Sequence, residues 1–192
     1  IAARAAQSHI GLATRLALDS ETRERRERVL DIASRVRGVG DAVLAAGALV
    51  EVATQQATAS ATQRDATEKA ELLRNLGADG EGTLPPSIRS QIKQLEDDQK
   101  RRAKRAVVDG LDRAMTDLLS LYRDVLVVQV GSDVDLVNQA QASTVKAVAA
   151  ASTVEQTVRR MDAITTARTR IGANVAPLLA VEAMTVALRP QG

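Results

Sequence analysis

Aromatic side chains are almost absent from this chain, and this constrains its fold more than any other feature. The 192 residues include one tyrosine, Tyr122, and no phenylalanine or tryptophan. A core must therefore be built from Ala, Val, Leu and Ile, whose small side chains let helices approach closely. Alanine also has the highest helix propensity, whereas β-sandwich cores rely on aromatic and β-branched residues. The composition therefore predicts an all-α fold.

The remaining composition narrows the class of protein. A hydrophobic content of 45% is enough for one or two domains with a core. Charges of both signs are interspersed and sum to +2, unlike the clustered cations of a strong nucleic-acid binder. The chain has no cysteine, which excludes disulfides, thiolate catalysis and cysteine-bound zinc and fits a cytoplasmic location. No apolar run reaches the ~18 residues of a membrane span, and no signal peptide is recognisable.

Prolines and glycines predict where the helices begin and end. The first predicted helix runs to Leu18 and is followed by a break at Asp19-Ser20 and a second helix over 21–36. Gly38-Val39-Gly40 is a predicted turn, and Asp41 is expected to cap the next helix. Two long helices are predicted after it, from Asp41 to Leu76 and from Pro86 to Val130, and they are ended by Gly77 and Gly131. The two long helices are joined by the glycine-containing loop 78–84. They predict a long antiparallel helical hairpin projecting from a helical bundle, with Gly110 as the expected bend.

The last third of the chain predicts three shorter helices. They cover about 140–150, 153–171 and 176–188. Ser152 and Glu155 have the spacing of a capping box, in which each side chain accepts a free backbone N–H. Asn174 is expected to be the N-cap of the last helix, because Pro177 cannot lie in a helix interior without a cost of ~3 kcal/mol.

Few residues could carry chemistry. The Gly38-Val39-Gly40 turn lacks the lysine and the preceding strand of a phosphate loop. His9 is the single histidine and has no cysteine partner for a zinc site, so we expect a surface or cap residue or part of a contact to a missing neighbour domain. Glu96, Asp97 and Asp98 are consecutive, and consecutive helical side chains point in different directions. We therefore expect no catalytic residue, no metal site, no cofactor and no enzymatic activity.

One basic run is the candidate for weak contact with nucleic acid. Its members are Lys100, Arg101, Arg102, Lys104 and Arg105. The alternative is that the run pairs with the preceding acidic residues, as Asp97–Arg101 and Asp98–Arg102, and remains in water. The charged stretch Glu24–Arg28 is likewise expected to be a solvated helix face.

Several motifs together resemble a known family. They are Leu118–Leu126 with its Tyr122-Arg123-Asp124, then Leu136-Val137-Asn138, a short helix ending at Ala149–Ser152, a helix with Ile164 and Arg168, and finally Asn174–Glu182 with Leu188-Arg189. In this order they resemble the C-terminal collar domain of the bacterial DNA polymerase III delta-prime subunit, a clamp-loader protein. The alanine-rich composition and the helical insertion at about 45–107 resemble its actinobacterial form. Ser8–Ala17 is similar to the end of the AAA+ lid subdomain, although Ile10 stands where the family often has proline.

The resemblance implies an organisation and a role. Residues 1–20 would end the AAA+ lid, and residues 21–192 would form the collar, a non-catalytic scaffold with no bound cofactor. Because the chain opens on Ile1 and not on Met, we expect a fragment of a longer protein. The resemblance implies that the ATPase module lies upstream of it. Its partners would be the delta and tau/gamma subunits, with indirect association with the sliding clamp and primer–template DNA and none with a membrane.

The same resemblance implies an interface between subunits. The candidate residues are Leu121, Tyr122, Val125, Leu178, Val181 and Met184, some of which must instead fill the domain's own core. A tau/gamma-type collar, a helical nucleic-acid-binding module and a coiled-coil adaptor are the alternatives.

Overall fold

The computed structural model describes residue 14, residues 17–78 and residues 85–190. Most of the predicted first helix, including His9, and nearly all of the predicted loop 78–84 lie outside the described residues. The described residues between 20 and 188 form six α-helices and one 3₁₀ turn, with no strand among them. They are α1 (Ser20–Ser34), α2 (Val39–Asn75), α3 (Pro86–Gln129), the 3₁₀ turn (Gln139–Gln141), α4 (Ala142–Ala150), α5 (Val154–Gly172) and α6 (Pro177–Leu188). The predicted all-α class is confirmed.

Glycine ends both long helices, as predicted. Gly77 and Gly131 have φ angles of 62° and 65°, in the left-handed region where a side chain would be strained. After Gly77, the Ala78 amide donates to the Leu73 carbonyl at 2.9 Å, which satisfies an otherwise unpaired carbonyl of the last turn. These two helix ends therefore follow from local backbone chemistry.

The start of α2 differs from the prediction. The helix begins at Val39, so Gly40 lies inside the first turn and not in a preceding loop. The Asp41 carboxylate accepts the backbone N–H groups of Arg37 and Gly38, both at 3.0 Å. Asp41 thus reaches back from the first turn, where the positive end of the helix dipole also favours a carboxylate.

The capping box of α5 lies one residue later than predicted. Thr153 is the N-cap: its hydroxyl accepts the Gln156 amide at 3.3 Å, and the Gln156 side chain accepts the Thr153 amide at 3.0 Å. The Ser152 hydroxyl instead donates to the Val148 carbonyl at 2.6 Å and so belongs to the end of α4.

Asn174 ends α5 and does not cap α6. Its φ of 62° places it in the left-handed region, and the following Val175 amide donates to the Arg170 carbonyl at 3.0 Å. Asparagine is the residue other than glycine that most often takes this position. The N-cap of α6 is Ala176, which makes no side-chain cap. Pro177 follows at the first helical position, where its missing N–H leaves one fewer donor to satisfy.

The chain divides into two compact units. The first unit comprises residues 1–52 and 111–192, and Tyr122 is the one aromatic side chain in its core. Its largest fully buried side chains include Leu30, Leu111, Met115, Leu118, Val125, Val145, Ile164, Val181 and Met184. Helices α5 and α6 pack against each other within this unit.

The second unit, residues 53–110, is an antiparallel pair of helical segments. Lys69 pairs with Glu96 at 2.8 Å, and the Gln99 side chain donates to the Asp65 carbonyl at 3.0 Å, so residue numbers fall along one helix as they rise along the other. From 53 to 67 most residues are exposed, as expected, but Ala53, Ala57 and Ala61 form a narrow buried stripe. The predicted antiparallel hairpin is present in this unit.

Gly110, the expected bend, lies where α3 approaches Ala53 of α2 closely. The helix continues through it, and a Cβ added there would lie 3.2 Å from the Ala53 Cβ. That distance is shorter than ordinary van der Waals contact. A side chain there would require Ala53 to move by a few tenths of an ångström, so glycine accommodates the close approach of the two helices.

Candidate interaction site

The Tyr122-Arg123-Asp124 and Leu136-Val137-Asn138 motifs meet in a buried polar cluster. Asp124 is completely buried, and its Oδ2 accepts the Asn138 backbone N–H at 2.6 Å and the Asn138 side-chain amide at 2.9 Å. Its Oδ1 accepts the Val137 N–H at 3.1 Å and an Arg123 guanidinium N–H at 2.7 Å. One carboxylate thereby fixes the loop that leads from α3 to α4.

Asp124 stays ionised although it is buried. Burial alone would raise its pKa, but the N–H groups donated by Asn138, Arg123 and Val137 outweigh burial and hold the pKa of Asp124 below 3.8. A charged acceptor that receives several N–H donors makes stronger hydrogen bonds than a neutral one.

Arg26 extends the cluster to α1. Its Nε donates to the Asp117 carboxylate at 2.8 Å, and its Nη2 donates to Asn138 Oδ1 at 2.6 Å and to the Ser120 hydroxyl at 3.1 Å. The Arg26 side chain is only 12% exposed, so the prediction of a fully solvated face over Glu24–Arg28 is wrong at this position. Burial raises the pKa of the Asp117 carboxyl, although the charge of Arg26 acts in the opposite direction.

Tyr122 is buried beside a second arginine. The guanidinium carbon of Arg160 lies 5.9 Å from the centre of the Tyr122 ring, within the range of a cation–π contact. The Nη2 of Arg160 donates to the Arg189 carbonyl at 3.3 Å, which joins α5 to the end of α6. Burial raises the pKa of Tyr122 to about 12, so the phenol is neutral at physiological pH.

The structure divides the six candidate interface residues into two groups. Leu121, Tyr122, Val125, Val181 and Met184 are all at most 5% exposed and fill the core of the first unit. Leu178 is 45% exposed. Its neighbour Leu179, which the sequence did not single out, is 62% exposed.

Helix α6 is apolar on both sides. Its buried side consists of Ala180, Val181, Met184, Thr185 and Leu188. The other side carries Leu178 and Leu179 together with exposed Ala183, and Glu182 is the sole charged residue among the twelve in the helix. A helix that is apolar all round is normally buried all round. On this side Val186 packs against Val36, Ala42 and Ala45, whereas Leu178 and Leu179 in the first turn stay exposed and have the character of a contact surface.

Further apolar side chains are exposed in the first turns of α2. Val39, Val43 and Leu44 are 55%, 47% and 74% exposed. Gly47 lies on the same helix, and nothing lies within 4 Å of the position its Cβ would take. Packing among the described residues therefore does not require glycine at this position.

The basic run of α3 is partly neutralised. Arg102 forms a two-pronged pair with Glu68, with one distance of 3.0 Å, and Arg101 pairs with Asp98. Lys100 lies 3.7 Å from Asp97, so the pairs along α3 have a spacing of three residues and not the predicted four. Lys104 and Arg105 are exposed and make no ion pair with a described residue.

The described residues contain no group of three or more His, Asp and Glu side chains that could hold a metal ion. Within the same residues, no helix is both long enough and apolar enough to cross a bilayer. The basic run, the polar cluster and the outer side of α6 are thus the features that require a functional account. No protein-family model, no curated protein and no solved structure matches this chain.

Proposed function

We propose that this chain is a non-catalytic assembly domain, of the kind that forms the collar of a DNA polymerase III delta-prime subunit in bacterial clamp loaders. In this role it would hold neighbouring subunits together and support the loading of sliding clamps in DNA replication. The observation that carries the proposal is the outer side of α6, which exposes Leu178 and Leu179 on a helix with one charged residue. Charge depletion at the centre of a contact surface is typical of protein interfaces.

The buried polar cluster supports the same reading. Asp124, Asn138 and Arg26 tie α1, α3 and the loop 131–138 into one body. Side chains locked by mutual hydrogen bonds keep a surface in one conformation, which lowers the entropic cost of docking a partner. The motif residues would then serve assembly indirectly, by making the first unit rigid.

Size-exclusion chromatography with purified delta and tau/gamma subunits of an actinobacterial clamp loader tests the proposal. The wild-type chain should co-elute with at least one of them. The double variant Leu178→Glu/Leu179→Glu should not, because two carboxylates would have to be buried unpaired in the contact. Co-elution with delta but not with tau/gamma, or the reverse, distinguishes the delta-prime from the tau/gamma type of collar.

A matched control is available in the same unit. Val130 and Val134 are 61% and 54% exposed, and Val130→Glu/Val134→Glu introduces the same charge elsewhere. This variant should co-elute like the wild type. The proposal would be contradicted if the wild-type chain bound no collar-bearing subunit. It would also be contradicted if both double variants lost co-elution to the same extent.

A further inference from the structure

The first five turns of α3 separate their charges by face. At 100° per residue, Arg89, Lys93, Lys100 and Lys104 fall within about 60° of one another around the helix. Arg101 and Arg105 lie about 120° and 160° from Arg89, so these two cations widen the basic side to nearly half of the helix circumference. Leu95, Gln99 and Arg102 lie on the opposite side, where Gln99 and Arg102 contact α2. The functional grouping is therefore a helix face, which we call the basic face, and not the consecutive run 100–105.

Most cations of the basic face form no ion pair with a described residue. Arg89, Lys93, Lys104 and Arg105 are exposed and form no ion pair with any described residue. Lys100 and Arg101 pair with Asp97 and Asp98, but their side chains remain 72% and 71% exposed. The inner side is different, because Lys69 and Arg102 are each matched by a carboxylate of the neighbouring helix. The basic face thus holds an excess of four positive charges in a chain whose net charge is +2.

The length and the residue composition of the basic face indicate which class of ligand it binds. The row from Arg89 to Lys104 extends about 22 Å at 1.5 Å per residue. A regular polyanion such as duplex DNA, with about one charge per 1.7 Å of axis, presents several phosphates over that length. The residues between the cations on this face are Ser90, Gln94 and Asp97. An acidic protein partner would ordinarily require aromatic or apolar anchors, which this face lacks.

Single-stranded nucleic acid fits less well than a duplex. Binding to single strands relies on bases that stack on aromatic side chains. Residues 53–110 contain no aromatic residue at all. The basic face can therefore contact only phosphates, and phosphate contacts do not discriminate between base sequences.

We propose that the basic face of α3 binds the phosphate backbone of double-stranded DNA without sequence preference. Four cations that form no ion pair with a described residue, Arg89, Lys93, Lys104 and Arg105, provide most of the contact, and Lys100 and Arg101 add to it. This surface belongs to the second unit and does not depend on the assembly role of α6.

Fluorescence anisotropy of a labelled duplex, titrated with the complete chain, tests this proposal. Four phosphate contacts give a slope of about −3.6 for log affinity against log salt, or a loss of about 150-fold between 50 and 200 mM salt. The variant Arg89→Gln/Lys93→Gln/Lys104→Gln/Arg105→Gln should weaken binding at 50 mM salt by at least about tenfold and flatten the slope. These side chains are exposed, so far-UV circular dichroism should be unchanged.

A control with the same change in net charge separates the basic face from general attraction. It carries Arg74→Gln, Lys146→Gln, Arg159→Gln and Arg170→Gln, four exposed cations outside the face. It should bind like the wild type. Equal weakening in both variants overturns the proposal, and so does the absence of wild-type binding at low salt. Competition by polyglutamate as efficient as that by the duplex would assign the face to an acidic protein instead.

Discussion

At the scale of single residues, the buried Asp124 carboxylate fixes the loop that follows α3. It receives hydrogen bonds from two residues of the following loop and from Arg123. A buried donor that loses its partner costs about 1–3 kcal/mol, and more when a charge is involved. In the motif Tyr122-Arg123-Asp124, which resembles the collar family, the Asp124 carboxylate therefore fixes the loop that follows α3.

We expect Asp124→Asn to lower the free energy of unfolding by about 1–3 kcal/mol, because the amide cannot accept from all the present donors. Urea denaturation followed by far-UV circular dichroism measures the change. Asp133→Asn, at an exposed position of the same loop, should stay within about 0.5 kcal/mol of the wild type. Equal stability of the two variants would contradict the role given to Asp124.

The same side chain predicts a dependence on pH. Its pKa is lower in the folded state than its ordinary value of 3.8, so the folded state binds fewer protons than the unfolded state. The stability it provides is complete above the unfolded pKa and is lost as pH falls through the folded pKa. The wild type should therefore lose more unfolding free energy than Asp124→Asn when urea denaturation is repeated at pH 3. A parallel loss in the two proteins would count against an ionised Asp124.

At the scale of helices, the sequence predicted the ends of the two long helices more accurately than it predicted the capping residues. Gly77 and Gly131 predicted helix ends correctly because a left-handed residue favours glycine strongly. The capping box shifted from Ser152 to Thr153 because neighbouring hydroxyl residues offer nearly equal caps. Asn174 was misassigned because asparagine favours both an N-cap and a left-handed helix end.

Substitutions at two glycines of the long helices should change the free energy of unfolding in opposite directions. Gly47 has open space around it, so Gly47→Ala should raise the free energy of unfolding by about 0.5–1 kcal/mol through lower backbone entropy. Gly110 contacts Ala53, so Gly110→Leu should destabilise the chain by about 1–3 kcal/mol through overpacking. Thermal and urea unfolding of both variants measure the difference. Changes of the same sign would show that close approach at Gly110 is not what selects glycine there.

At the scale of the whole molecule, the sequence predicted the hairpin but not which residues pair across helices. The Arg102–Glu68 and Arg26–Asp117 pairs join residues far apart in the chain. Helical periodicity places each residue on a face but does not state which helix the face will meet. For the same reason the sequence could not show that five of the six candidate interface residues are core residues. The exposure of Leu179 and the partition of the cations of α3 also depend on tertiary structure.

The division into two units predicts that the second can be removed. Ala53 and Gly110 are in contact, so a short Gly/Ser linker can replace residues 54–109. The shortened chain should keep a single cooperative urea transition, and it should lose the salt-dependent duplex binding proposed for α3. Loss of the cooperative transition would show that the first unit requires the second in order to fold.

The scarcity of aromatic residues has a consequence for spectroscopy. Tyr122 is the sole source of near-ultraviolet absorbance and intrinsic fluorescence from side chains in the chain, and it lies buried beside Arg160. Its emission, its near-ultraviolet dichroism and its alkaline absorbance change therefore report on one position in the core of the first unit. The second unit contributes no aromatic signal, so the protein carries a built-in optical probe that distinguishes its two halves without any label.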